Sequence, residues 1–340
     1  MKKFVAMVLC FVMLLAAAVS AQAVNESITG EIMIYTSIYQ DVIDKLIEGL
    51  KVEFPNLTVN HLYGGTGSLQ TKLAGEMESG KLDCDLLLVA EPAYSLELKE
   101  GGWLHQYKTD AAANLRFPFD EEGYWYPVRV CNMVLAYNPD LYKAEELPKT
   151  FHDFAFDESL KCEISMGNPL TSGTTMAAVT ALSDKYGYEY FEALGKNEVM
   201  VESGSTALGK LQTGECKLLM ILEESVLKLR EEEGSTISCI YPEDGNILIP
   251  STVMTVAGEK SLNHNTAACE AVTDWLLGEG GQEFVLSGWM HSVLKGMTKV
   301  PYDSIDTDGL IKTDMGVDWV RCYQQRDEIR AKFEEFVTNK

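Results

Sequence analysis

Apolar positions along this chain switch repeatedly between two periods, one matching a strand and one matching a helix. Residues 30–37, GEIMIYTS, read as a strand. Residues 39–54 then place Val42, Ile43, Leu46, Ile47 and Leu50 on one helical face. A second strand follows in LTVNHLYG (57–64), a second helix in GSLQTKLAGEMESG (67–80) and a third strand in CDLLLVA (84–90). Strand–helix spacing of this kind predicts parallel pairing in a doubly wound sheet. A long β-rich stretch at 124–142 leads into a second strand–helix series over 162–245, and 247–259 reads as strand again. Helical patterns close the chain at 264–287 and 316–337. The predicted class is α/β, two units joined by two β crossings. Lobe 1 is expected from 30–130 and 256–340, and lobe 2 from 131–255.

The first 23 residues stand apart from this pattern. Lys2 and Lys3 precede an apolar run over 4–19, and Ala21-Gln22-Ala23 has the small-x-small form of a signal peptidase site. A secretory signal cleaved after Ala23 and a periplasmic or otherwise extracytoplasmic protein are expected. Cys10 sits inside the apolar run, out of place for a lipoprotein cysteine. No later apolar stretch is long enough to span a bilayer.

Charge narrows the partners. The chain has 51 acidic and 28 basic residues, a formal net charge of −23, and no basic block. Such a field repels nucleic acid and anionic lipid, so neither is an expected partner. An anionic ligand would have to be held by local donors. The seven cysteines after the leader (Cys84, Cys131, Cys162, Cys216, Cys239, Cys269 and Cys322) are scattered, with no C-x-x-C. That spacing is neither a disulfide framework nor a zinc site, and buried free thiols are expected.

Catalytic motifs are weak. GSTALGKL at 204–211 fits G-x-x-x-x-G-K but ends in Leu211 where Ser or Thr should meet magnesium, so it reads as a hydroxyl-capped helix start. No G-x-S-x-G occurs. His61, His105, His152, His264 and His291 have no metal spacing and no nucleophile beside them, and read as surface or satisfied core residues. No cofactor is expected, and no enzyme activity, although a secreted hydrolase stays open as a third reading.

One physical device does repeat. Thr36-Ser37, Thr66-Gly67-Ser68, Thr171-Ser172-Gly173-Thr174 and Ser203-Gly204-Ser205-Thr206 each lie between a predicted strand and a predicted helix. Each aims hydroxyls and free backbone N–H groups at a strand-end crevice, where doubly wound sheets bind ligands. Arg129 on the crossing strand is the cation placed to assist, or else a structural ion-pair member.

With these residues in view, the chain resembles a periplasmic solute-binding protein of an ABC importer. The similarity is to the type II fold, in the group of ferric-ion, phosphonate and hexose-phosphate binders. It rests on the stretch from IMIYTS to KLAGE (32–76), on VRVCNMVLAYNPDLY (128–142), on GNPLTSGTTMAAV (167–179) and on TDWLLGEGGQEFVLS (273–287). The resemblance implies two lobes closing over a solute, delivery to an inner-membrane permease, and a monomer. For a small anionic organic solute (an organophosphate, hexose phosphate or phosphonate), Thr66, Gly67, Ser68, Thr171, Ser172, Gly173 and Thr174 would hold the anion, with Ser37 and Arg129 nearby. Tyr39, Glu91, Glu223 and Glu224 would read the remainder. The alternative cargo is Fe(III), with Tyr39, Glu91, Glu223 and Glu224 as oxygen ligands. Ferric binders of the group carry an adjacent tyrosine pair in the second lobe, where this chain has Glu223-Glu224-Ser225. Sugar-phosphate binders carry an acidic contact where this chain has Ile247, Leu248 and Ile249.

Overall fold

The computed structural model describes residues 24–298 and 304–339. The expected secretory signal at 1–23 lies outside them. In chain order the first unit holds β1 (Gly30–Thr36), α1 (Gln40–Glu53), β2 (Leu57–Tyr63), α2 (Thr66–Met77), β3 (Leu86–Ala90) and α3 (Pro92–Glu100). The long strand β4 (Tyr126–Tyr137) crosses to α4 (Phe151–Phe156), β5 (Ile164–Gly167), α5 (Gly173–Tyr186), α6 (Glu189–Lys196), β6 (Met200–Glu202), α7 (Gly204–Thr213), β7 (Leu218–Leu222), α8 (Glu223–Glu233) and β8 (Ser238–Ile240). The second long strand, β9 (Ile247–Thr255), returns the chain to α9 (Thr266–Leu276), α10 (Glu279–Ser287), α11 (Thr307–Lys312), α12 (Trp319–Gln324) and α13 (Arg326–Phe333).

One nine-stranded sheet runs β2-β1-β3-β9-β4-β7-β5-β6, with β8 paired to β4. Pairing is parallel within each unit, β1 with β2 and β3, and β5 with β6 and β7. The two crossings, β4 and β9, pair antiparallel with each other. Every residue of both crossings is buried, which is why each reads as an almost unbroken apolar run. The expected two-lobe α/β architecture with two β crossings is therefore present.

Each lobe buries helices against its part of the sheet. In α1 the five apolar residues of the stripe are the buried ones. The lobe 1 core gathers Ile32, Leu86, Val128, Val253, Val272 and Leu310. The lobe 2 core gathers Ile164, Met176, Leu182, Phe191, Leu218 and Ile247. Cys322, Ile329 and Phe333 of α12 and α13 also pack into the lobe 2 core, whereas the sequence reading groups 256–340 with lobe 1. The physical reason is that α12 lies between the lobes, touching α3 on one side and α5 on the other.

Two helical stretches divide. The 264–287 pattern breaks around Gly278, the N-cap of α10, and Gly281 packs so tightly that an added Cβ would stand 2.5 Å from the Trp275 carbonyl oxygen. The 316–337 pattern breaks at Gln325, whose ψ of 15° ends α12 before α13 begins. Cys84, Cys131, Cys216, Cys269 and Cys322 are buried free thiols. Among the described residues no helix is long and apolar enough to cross a membrane.

Candidate functional site

The strand-end loops of both lobes meet along the β4/β9 crossing. On lobe 2, Ser172 caps α5, its Oγ accepting from the Thr175 N–H at 3.2 Å and the Thr175 hydroxyl at 3.0 Å. Thr174 joins the same hydroxyl cluster at 3.1 Å from Ser172. Ser203 caps α7 in the same way, accepting from the Thr206 N–H at 3.3 Å. The near-P-loop is thus the hydroxyl-capped helix start expected of it, and Lys210 pairs with Glu202 instead of facing a phosphate. Both helix mouths open on one cavity of about 690 Å³. Ser172, Thr174, Thr175, Ser203 and Ser205 line it, with Lys228 of α8, and Tyr39 and Tyr63 from lobe 1.

The lobes touch across this cavity. The Tyr39 and Ser225 hydroxyls lie 2.7 Å apart. Lys228 pairs with Asp41 at 2.7 Å and sits 5.6 Å from the centre of the Tyr39 ring. The Gly67 N–H donates to the Thr171 carbonyl at 3.0 Å. These contacts describe a closed form.

The residues singled out from sequence divide by role. Tyr39, Thr171, Ser172 and Thr174 line the cavity. Gly173 is buried, and an added Cβ there would meet the Thr66 side chain at 3.0 Å. Thr66 and Gly67 therefore press on the α5 mouth itself, and Ser68 is exposed. Ser37 is committed to the scaffold, its Oγ accepting from the Ala90 N–H at 3.0 Å.

The acidic residues take three different positions. Glu91 is 1% exposed, has φ 73°, and caps α3 by accepting from the Tyr94 N–H at 3.2 Å. Burial pushes its carboxyl up to about 8, against the pull of Arg326 and the helix amides. Glu223 accepts from the Tyr241 hydroxyl and lies 2.8 Å from His291 Nε2, a buried pair bridging α8 to the segment beside β4. His291 Nδ1 contacts Thr307 Oγ1 at 3.1 Å. His291 is thus a satisfied core histidine.

Glu224 differs from both. It is 2% exposed, yet its Oε1 has no hydrogen-bond partner among the described residues. Burial raises its pKa, while nearby Arg129 and a hydrogen bond with Cys131 lower it. It also raises the Tyr39 pKa, second to burial. Among the described residues Arg129 is in no ion pair, one of the two readings left open for it. Its Nε donates to Ser251 Oγ at 3.0 Å and its Nη1 lies 2.7 Å from Met290 Sδ.

Sequence reasoning missed Asp41, Lys228 and Tyr241, and for His291 it left surface and core both open. The i, i+3 spacing of Ser225 and Lys228 on α8 was a usable signal, since it puts both on one face. For Fe(III), the four suggested oxygen ligands do not form one set here: Glu223 and Glu91 are bound elsewhere. Among the described residues no group of three or more His, Cys, Asp or Glu is placed to hold a metal ion.

Residues 86–298 match the model of the bacterial extracellular solute-binding protein family. No curated protein sequence matches the chain. Iron-bound HitA from Pseudomonas aeruginosa aligns with TM-score 0.78 and 18% identity, over 90% of this chain and 99% of that one. AfuA from Actinobacillus pleuropneumoniae, with fructose 6-phosphate bound, aligns with TM-score 0.77 and 18% identity over 92% and 99%. A periplasmic thiamin binding protein aligns with TM-score 0.74 and 16% identity over 93% and 98%. These identities speak for the fold. The chain belongs to the bacterial extracellular solute-binding protein family, whose members bind a small molecule for an ABC permease.

Proposed function

We propose that this solute-binding protein works in the periplasm, captures a small organic anion of the phosph(on)ate class and closes its two lobes over it. The observation that carries this reading is the convergence of two hydroxyl-capped helix mouths, α5 and α7, on one cavity. Helix N-termini supply free N–H groups and the positive end of a dipole, so they bind oxyanions without a bare cation. That matters in a chain of net charge −23, whose overall field opposes the ligand. Lys228 lines the same cavity with its charge paired to Asp41, and Glu202 and Glu233 line it too, so the helix mouths and hydroxyls have to carry the anion. Glu224 does not line the cavity itself but lies close enough to its Tyr39 to raise that phenol's pKa. Its Oε1, without a hydrogen-bond partner among the described residues, is the acceptor offered to a solute amine or hydroxyl that reaches past Tyr39. Closure brings Tyr39 to Ser225 and Asp41 to Lys228, and the closed form is the one read by the permease.

Fe(III) is the second cargo to test, because iron-bound HitA shares the fold. Of its four suggested ligands, Glu91 and Glu223 are committed to other partners and the Tyr39 hydroxyl contacts Ser225, which leaves the Glu224 Oε1 without a partner among the described residues. The deciding experiment is a thermal-shift and calorimetric titration with 2-aminoethylphosphonate, fructose 6-phosphate and ferric citrate. A bound phosph(on)ate at a hundredfold excess over Kd raises stability by about 2.7 kcal/mol. The double variant Ser172→Val/Thr174→Val is expected to lose at least a hundredfold in affinity while keeping a cooperative melt. Glu224→Gln is expected to weaken the amine-bearing probe more than an amine-free one. Binding that survives the double variant, or a shift with ferric ion alone, overturns the reading.

A further inference from the structure

The cavity is larger than an oxyanion needs, and its walls change character between the α5 mouth and the side formed by α7 and α8. An ordinary binding pocket for a drug-sized molecule spans roughly 300–1,000 Å³, and this one is about 690 Å³. Its polar mouth is at Ser172, Thr174 and Ser203. Away from that mouth, α7 contributes Leu208, Gly209 and Gln212, which with Ser205 form one helical stripe at i, i+3, i+4 and i+7. Leu229 of α8 faces the same space, and Leu219 and Ile221 of β7 close it.

These apolar residues border a small satellite core of lobe 2 that buries Ala207, Leu211, Leu219 and Ile221. Leu208 and Leu229 pack against that core while staying only partly buried. At Gly209 an added Cβ would meet nothing within 4 Å. From the opposite lobe Tyr63, 42% exposed, presents a ring to the same cavity.

Between α7 and α8 the cavity is walled by Leu208, Leu219, Ile221 and Leu229 and edged by the exposed Gln212 and Glu233. We propose that this part holds an apolar body, so that the solute is an amphiphilic anion. Its phosph(on)ate head sits at the α5 and α7 mouths, and its alkyl or aryl portion lies between α7 and α8. The proposal rests on the reading of the head given above, and the test separates the two. Affinities are measured by calorimetry for n-alkylphosphonates from methyl to hexyl, and in parallel for n-alkylammonium ions and n-alkanols. Each buried methylene is expected to tighten alkylphosphonate binding by about fourfold.

In Gly209→Leu the gain with chain length is expected to vanish for the longer members. Its unfolding temperature should stay at or above that of the wild type, because a helix-interior glycine is replaced by a better helix former. A gain with length in the ammonium or alkanol series only would support the apolar cavity and contradict the anionic head. No gain with length in any series, or a gain that Gly209→Leu leaves intact, overturns the proposal.

Discussion

Glu91 shows how one residue of this fold is set by its surroundings. It occupies a left-handed backbone conformation, φ 73°, at the end of β3, and its carboxylate caps α3 while almost fully buried. Burial raises its pKa from 4.5 to about 8. An acid with a higher pKa in the folded state keeps its proton longer there, so stability is greatest at low pH and falls as pH rises toward the folded value. Glu91→Gln keeps an acceptor for the Tyr94 N–H and has no charge to bury. Relative to that variant, the wild type is expected to lose a few kcal/mol, roughly 3–5, between about pH 5 and pH 9. Urea unfolding at both pH values checks this, and a pH-independent difference would contradict it. The sequence made the strand-end acids Glu91, Glu223 and Glu224 visible as a group, but not their different fates. Glu223 is taken by Tyr241 and His291, 18 and 68 residues away, and no local pattern announces such partners.

Among elements, the helix starts and the two crossings were legible and the contacts between lobes were not. Two of the four hydroxyl runs supply a capping side chain, Ser172 and Ser203, as the cap preference of Ser requires, whereas Tyr39 and Gly65 hold the N-cap positions of α1 and α2 with no side-chain bond. The close approach of α2 to the α5 mouth was hidden. Gly67 has backbone atoms of the other lobe so near that an added Cβ would stand 2.8 Å from Thr171 Cα and 2.9 Å from the Leu170 carbonyl oxygen. Gly67→Ala should therefore leave each lobe folded but keep the lobes from meeting as they do here. Solute affinity is expected to fall at least tenfold, with a larger radius of gyration in the presence of solute and an unchanged unfolding temperature. Small-angle scattering with and without solute reads this directly. A variant that closes and binds like the wild type would show that the Gly67–Thr171 contact is incidental.

For the whole molecule, the alternation of strand and helix periods led to the two-lobe architecture because each lobe buries its own core against one continuous sheet. The C-terminal helices were harder to place, since an amphipathic pattern says that a face is buried and not which lobe covers it. Net charge carried information at this scale too: a field of −23 makes nucleic acid and anionic lipid unexpected partners and requires that any anion be held locally. The central claim is that the closed cavity carries an organic anion. Native mass spectrometry of the freshly purified protein tests it most directly. The expected result is a one-to-one complex whose extra mass is a phosphorus-containing organic molecule, lost in Ser172→Val/Thr174→Val. An adduct of a single iron atom, or one that persists in that variant, would contradict the account.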